Sequence, residues 1–392
     1  MMDASLALYV HMPWCVRKCP YCDFNSHQLK SGQPDAGYID ALILDFDAEL
    51  PRLEGRRIDT VFFGGGTPSL FAPSEFARLL AALKTRIDFA DDAEITLEAN
   101  PGTIERGKFS GYAEAGINRV SLGAQSFDAG ALKVLGRIHS ADDTHRAVEE
   151  LRCAKLDNFN LDLMYALPQQ TLEQAANDVT IACSLQPAHI SYYQLTLEPG
   201  TVFHSRPPAL PDEEAAWDIQ LVGQKLLAEA GYAQYEVSAY AKPGARCRHN
   251  LNYWLFGDYV GIGAGAHGKV SLELPQKILR TVKPKQPRDY QAKISRAALS
   301  ARALPAGAPF AGESGYIAAA DLPFEFMLNA LRLNDGFSSD SYLARTGLEL
   351  AHLDPKMARA RTRGLLEPSE KGWRPTELGR RFLNDLQQSF LA

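Results

Sequence analysis

Six times between Leu6 and Leu195 a short β-rich run gives way to glycine or polar residues and then to sequence with helical spacing. The strand-like runs are Leu6–His11, Asp59–Phe63, Glu94–Ala99, Asn118–Leu122, Asn158–Met164 and His189–Leu195; Tyr38–Leu53 and Ser74–Leu83 are two of the helical stretches between them. Strands separated by helices in this way build βαβ units and a parallel sheet. Closed eight-strand barrels, partial barrels and open doubly wound sheets all satisfy the pattern. The polar and glycine signals, Gly64–Ser69, Glu98–Gly102, Gln125 and Asp162–Pro168, follow the strands directly. In each of those architectures the carboxyl edge of the strands is where ligands bind.

The chain of 392 residues is long enough for about two or three domains. With 46% hydrophobic and 22% charged residues it is globular in composition. A net charge of −6 offers no basic face for nucleic acid. No apolar run reaches the ~20 residues of a membrane span. The start, MMDASLALYVHMPWC, has no basic n-region and no long apolar core, so a cytoplasmic protein is expected. Four regions are expected: a barrel over 1–240, an extension over 241–294, a linker region over 295–320 that starts as a helix end and is rich in Ala, Gly and Pro, and a C-terminal domain over 321–392. The last reads as three short helices, a hairpin over EPSEKGWRPT and one closing helix, a winged-helix-like module. Its arginines alternate with core positions, which argues against a nucleic-acid role.

Three of the six cysteines fall within Cys15-Val-Arg-Lys-Cys19-Pro-Tyr-Cys22, directly after the first strand. Cytosolic thiols stay reduced, so the cluster points to metal. Three thiolates can hold three corners of a [4Fe–4S] cube and leave the fourth iron open to a ligand. A structural zinc site needs a fourth ligand, which His11 or His27 could supply. The position at the ligand edge favours the reactive cluster.

At this point the sequence resembles the radical S-adenosylmethionine superfamily, with its C-x3-C-x2-C signature after the first strand of a partial (β/α)6 barrel. Tyr9-Val-His-Met-Pro-Trp-Cys15, Gly64-Gly65-Gly66-Thr67-Pro68-Ser69, Leu97-Glu98-Ala99-Asn100-Pro101, Gly123-Ala-Gln125-Ser-Phe and Asp162-Leu-Met-Tyr-Ala-Leu-Pro168 are similar, in order, to the oxygen-independent coproporphyrinogen III oxidase group. The resemblance implies that Cys15, Cys19 and Cys22 carry the cluster and that S-adenosylmethionine sits on the open iron. It places Gly65, Gly66 and Thr67 at the methionyl end of that cofactor, Glu98 on its donors, and Gln125 and Asp162 on hydroxyl or amino groups. Arg137 matches a position that contacts a carboxylate, and Tyr9 and Tyr21 flank the cluster.

Two departures point to the heme-chaperone branch of the group. Phe24 stands where the oxidases carry a further cysteine, and the chain begins only a few residues before its first strand, without the longer segment that covers the oxidase site. His249-Asn250-Leu251-Asn252-Tyr253-Trp254 has the H-N-x-x-Y-W form of that branch. Imidazole is a common axial ligand of heme iron, and aromatic rings stack on porphyrins, so His249, Tyr253 and Trp254 are the heme candidates. The competing account makes His249 a hydrogen-bonded structural residue. The resemblance further implies acceptor hemoproteins and a flavodoxin- or ferredoxin-type reductant as partners, with radical decarboxylation of a tetrapyrrole propionate as the alternative function. Gly263-Ala-Gly265-Ala-His-Gly268 imitates a dinucleotide fingerprint, but an alternating strand-like run, KVSLEL, follows it instead of a helix. It is expected to form a glycine-rich wall by the adenosyl group, with His267 facing it.

Overall fold

The computed structural model describes residues 5–29, 34, 37–53, 55–102, 107–273, 277–299 and 313–391. Its main sheet has twelve strands. Six parallel strands form the centre: β1 (Ser5–Met12), β4 (Arg57–Gly65), β5 (Asp88–Ala99), β6 (Arg119–Gln125), β7 (Phe159–Tyr165) and β8 (His189–Gln194). Between the first two, β2 (Trp14–Cys15) and β3 (His27–Gln28) clamp the two ends of the cysteine segment together. Helices Gly37–Glu49, Pro73–Lys84, Ala141–Cys153 and Leu172–Ser184 lie among the crossovers. All six expected strands are present, most of them a residue or more longer than the sequence reading had them.

The strands alternate in a way that explains both faces. Leu8, Val10, Val61, Phe63, Ile95, Leu97, Val120, Leu122, Leu161 and Ile190 belong to the large apolar core shared with the helices. Many of the intervening positions, including Thr60, Glu94, Glu98, Arg119, Asn160, Asp162 and His189, carry hydrogen-bonding or ionisable groups. Successive side chains point to opposite faces of a strand, so a sheet that curls around this second face encloses a polar interior.

Three features exceed the sequence reading, and a fourth agrees with it. A hairpin, β9 (Ala233–Glu236) with β10 (Ala239–Ala241), adds antiparallel strands to the β8 edge. At the other edge β11 (Tyr259–Ile262) runs parallel to β1 as a seventh parallel strand. Beyond it β12 (His267–Glu273), β13 (Lys277–Val282) and β14 (Glu313–Tyr316) follow antiparallel. Residues 295–299 are the helix end expected at the start of the linker region, closing the helix Pro287–Leu299, while 300–312 lie outside the described residues.

The extension is fastened by a buried ion cluster. Lys283, 1% exposed, donates to Asp45 at 2.7 Å and Glu49 at 2.5 Å, and the Tyr290 hydroxyl donates to Asp45 at 2.8 Å. Hydrogen-bonded partners on every side are what make a buried charge tolerable.

At the C-terminal end, helices Leu322–Ala330, Ser339–Thr346 and Asp354–Thr362 pack with a hairpin of β15 (Leu366–Ser369) and β16 (Gly372–Pro375) around a second core. The expected single closing helix is two, Glu377–Arg381 and Leu383–Gln388, because Phe382 between them leaves helical geometry (φ −111°, ψ 47°). Phe256 and Ile278 of the barrel side belong to this second core, which docks the two parts on one another. Among the described residues no helix is long and apolar enough to cross a membrane.

Candidate cofactor site

The carboxyl ends of the parallel strands and the cysteine segment enclose one cavity of about 390 Å³. Cys15, Cys19 and Cys22 line it, together with Tyr21, Gly65, Gly66, Thr67, Glu98, Gln125, Arg137 and Asp162. Eleven residues from six separate stretches of sequence therefore meet at one place.

The cysteine segment is held by its neighbours rather than by regular structure. Cys22 N–H donates to the Cys19 carbonyl at 3.2 Å, and the Thr67 and Gly66 amides donate to the carbonyls of Trp14 at 2.7 Å and Met12 at 2.8 Å. That strand-like approach explains Gly66: a Cβ there would sit 2.5 Å from the Trp14 carbonyl oxygen. Gly65 has φ +115°, and its Cβ would lie 2.4 Å from the His11 ring, so both positions exclude a side chain. Burial raises the Cys15 and Cys22 thiols, and each of these cysteines is also within reach of the Ser26 hydroxyl. His11, one of the two residues able to complete a zinc site, spends Nε2 on the Asn25 carbonyl at 2.8 Å and Nδ1 on the Tyr9 hydroxyl at 3.0 Å.

Two carboxyl groups share the cavity with the cysteines. Burial pushes Glu98 up to about 8, the nearby Asp162 adds to the rise, and the Gly65 amide donating to it at 3.1 Å works the other way. Asp162 is also raised by burial, against hydrogen bonds from Asn160 at 2.8 Å and Ser121 at 3.1 Å. Two desolvated acids facing one cavity favour a cationic ligand, whose charge would return both to the ionised form. Arg137 supplies the complementary charge. Its guanidinium donates to Asn100 at 2.5 Å and the Gly123 carbonyl at 2.8 Å and reaches the Cys19 sulfur at 3.8 Å, while its Nε is buried without a partner. A cavity with acids on one wall and a guanidinium on another fits a zwitterionic ligand of the amino-acid type.

Gln125 ends β6 at φ +67°, a strained conformation for a residue with a side chain, and accepts from the Tyr193 hydroxyl at 2.7 Å. Tyr193, Ser121, Ser191 and Asn100 also line the cavity and were not chosen from the sequence. Their signal was parity: each lies on the polar face of a strand already assigned, or at its end.

The remaining chosen residues go elsewhere. Tyr9 and Tyr253 line a second chamber of about 580 Å³ that shares Phe24, Ser26, Gly65 and Glu98 with the first. His267, expected beside the adenosyl group, also faces this second chamber. His249 opens the helix Arg248–Trp254, which lies across the polar interior of the sheet. It is 1% exposed; Nδ1 pairs with the Thr60 hydroxyl at 2.8 Å and Nε2 with the Tyr253 hydroxyl at 3.0 Å, and its amide donates to Glu94 at 3.1 Å. Burial, and then Arg119, depress its imidazolium to about 3. Iron ligation by His249 in this arrangement would require the Tyr253 hydroxyl to leave Nε2. Trp254 meets neither chamber: Arg332 of the C-terminal part stacks on its ring at 4.2 Å. Cys247, the residue before the helix Arg248–Trp254, is fully buried, its thiol raised to about 11 by burial.

Comparison with known proteins agrees with this geometry. Residues 9–180 match the Radical SAM superfamily and residues 317–382 the HemN C-terminal domain. The chain is 47% identical over 387 residues to the heme chaperone HemW of Escherichia coli, covering 99% of this chain and 98% of that one. It is 46% identical over 391 residues to the heme chaperone HemW of Haemophilus influenzae, with the same shares covered. Among solved structures, coproporphyrinogen III oxidase (HemN) of Escherichia coli superposes with a TM-score of 0.80 at 22% identity, over 98% of this chain and 89% of that one, which speaks to the fold alone. A radical-SAM match in the N-terminal part, a HemN-type C-terminal domain and full-length similarity to chaperones of one kind leave a single placement: the chain belongs to the HemW family of the radical S-adenosylmethionine superfamily.

Proposed function

We propose that the protein is a heme chaperone, binding heme and passing it to acceptor hemoproteins, with a [4Fe–4S] cluster on Cys15, Cys19 and Cys22. The full-length 47% identity to a heme chaperone is the observation that carries the reading. The first cavity supports the cofactor part. When bound, the cluster supplies an iron with an open coordination position for S-adenosylmethionine. Around that position Glu98 takes an ammonium, Arg137 a carboxylate through the side of its guanidinium that has no partner, and Asp162 and Gln125 hydroxyl groups. Gly65, Gly66 and Thr67 shape the wall between the cysteines and Glu98, and Tyr21 packs beside Cys19. Residues 1–240 and 241–294 act as barrel and extension, 295–320 as the connection, and 321–392 as the docked C-terminal domain. A flavodoxin- or ferredoxin-type protein reduces the cluster.

Exposed Phe24, 59% accessible on the rim of both chambers, favours carriage over oxidation, since it stands where the oxidases place another cysteine. The test mixes anaerobically reconstituted, heme-loaded protein with an apo-b-type cytochrome and follows the acceptor's absorbance. Transfer faster than from free heme trapped by albumin is expected. A parallel incubation with coproporphyrinogen III, S-adenosylmethionine and reductant is expected to yield no protoporphyrinogen; its formation, or the absence of any heme uptake, would overturn the proposal.

A further inference from the structure

The second chamber shares Phe24, Ser26, Gly65 and Glu98 with the first, but none of the three motif cysteines lines it. Its walls are aromatic where Phe24, Tyr9, Tyr253 and Tyr259 meet, and at about 580 Å³ it lies in the range of cavities that enclose a cofactor-sized molecule. Among the described residues three of its polar side chains stand uncommitted: His267, Lys285 and the carboxylate of Asp23. His267 is exposed and, among the described residues, makes no side-chain hydrogen bond or ion pair; Lys285, also exposed, is in the same position. The other histidines there are engaged, His11 through both ring nitrogens and His27 through Nε2 with Asn25 at 3.3 Å.

His267 is also rigidly presented. It begins β12, opposite Val282 of β13, and its backbone passes so close to β11 that a Cβ on Gly261 would fall 2.0 Å from the His267 carbonyl oxygen. The turn before it has φ +102° at Gly263 and +81° at Gly265. Asn25, next to Phe24, donates to the Ala264 and Lys285 carbonyls, both at 2.9 Å. The cysteine segment, the glycine turn and the lysine are thus stapled into one wall.

We infer that heme occupies this second chamber, with the His267 imidazole as its axial ligand, Phe24 and Tyr253 against the porphyrin and Lys285 at a propionate. The inference rests on the proposed heme-carrying function and deepens it. A flat apolar ring with carboxylates at one edge matches aromatic walls with an ammonium at the rim. Burial, and then Arg280 and Lys285, disfavour the imidazolium of His267, the direction that iron ligation requires. A single exposed imidazole also leaves the second axial position of the iron open to an acceptor protein, a route to release that a buried pair of ligands would block.

Ferric heme is titrated into the full-length, cluster-loaded protein and followed by its Soret band and by electron paramagnetic resonance. Wild type should bind about one heme per chain with a histidine-type spectrum. His267→Ala should bind at least tenfold more weakly with an altered Soret band, and added imidazole should restore the spectrum. Lys285→Glu should weaken binding severalfold without changing the ligand spectrum. His249→Ala, with folding confirmed by circular dichroism and the cluster by iron content, should keep the wild-type heme spectrum. Unchanged spectrum and affinity in His267→Ala, or their loss in folded His249→Ala alone, would overturn this inference and leave heme carriage standing. Failure of wild type to bind heme at all would overturn both.

Discussion

Glu98 should make the stability of the empty protein fall as pH rises, and its replacement should remove that fall. Its carboxyl is held at about 8 in the folded chain against 4.5 for the ordinary group. The folded state therefore keeps a proton that the unfolded state gives up between those values. A group shifted in this direction contributes stability that is fully present below pH 4.5 and is lost as pH climbs through 8. From pH 6 to pH 9 the protein crosses two of those units below 8, which at about 1.4 kcal/mol per unit is an upper bound of about 3 kcal/mol. Glu98 opens onto the cavity, where water can reach it, so about 1–2 kcal/mol is expected. The assay is urea unfolding of cluster-free wild type and Glu98→Gln at pH 6 and pH 9, read as the difference of differences so that other titrating groups cancel. Wild type should lose about 1–2 kcal/mol more than the variant over that interval. Equal losses would show that Glu98 is ionised in the empty protein and that the cavity is better solvated than its geometry indicates. The same reasoning predicts that a cationic ligand binds more tightly at pH 8 than at pH 6 in wild type, with a flatter profile in Glu98→Gln.

Cys15→Ala, Cys19→Ala and Cys22→Ala should each abolish the iron–sulfur absorbance after anaerobic reconstitution, while Cys153→Ala and Cys183→Ala should retain about four iron per chain; full retention in Cys19→Ala would contradict the ligand set. Lys283→Met leaves Asp45 and Glu49 facing each other in the core and should cost about 3–5 kcal/mol, seen as a clear drop in the thermal midpoint. A drop no larger than for the surface variant Lys225→Met would show that the two acids take up protons without penalty.

Much of the site could be read in the chain because it depends on local order. A strand followed at once by glycine or acid puts those residues at a carboxyl edge, whatever the sheet's final curvature. Gly65, Gly66, Glu98, Gln125 and Asp162 were placed by that rule, and Cys15, Cys19 and Cys22 by their spacing. Arg137, which follows a short helix rather than a strand, was placed only by the family position it matches. The six central strands were legible for the same reason: alternation and turn residues act over a few positions.

The H-N-x-x-Y-W stretch was different. Its six residues look like one site in sequence, but a seven-residue helix turns its side chains through nearly two turns. His249 consequently meets Thr60 in the interior, Tyr253 reaches the second chamber, and Trp254 reaches Arg332. Nothing local determines those partners, which come from strands and helices far along the chain. The same holds for the second chamber: Tyr9, Phe24, Tyr253, Tyr259, His267 and Lys285 become neighbours only because β11 and β12 add to the β1 edge and Asn25 ties the cysteine segment to the turn before His267. Short-range pattern determined the strands, the cysteine motif and the edge on which ligands bind. Long-range packing decided which histidine is spent inside the protein and which is left free on its surface.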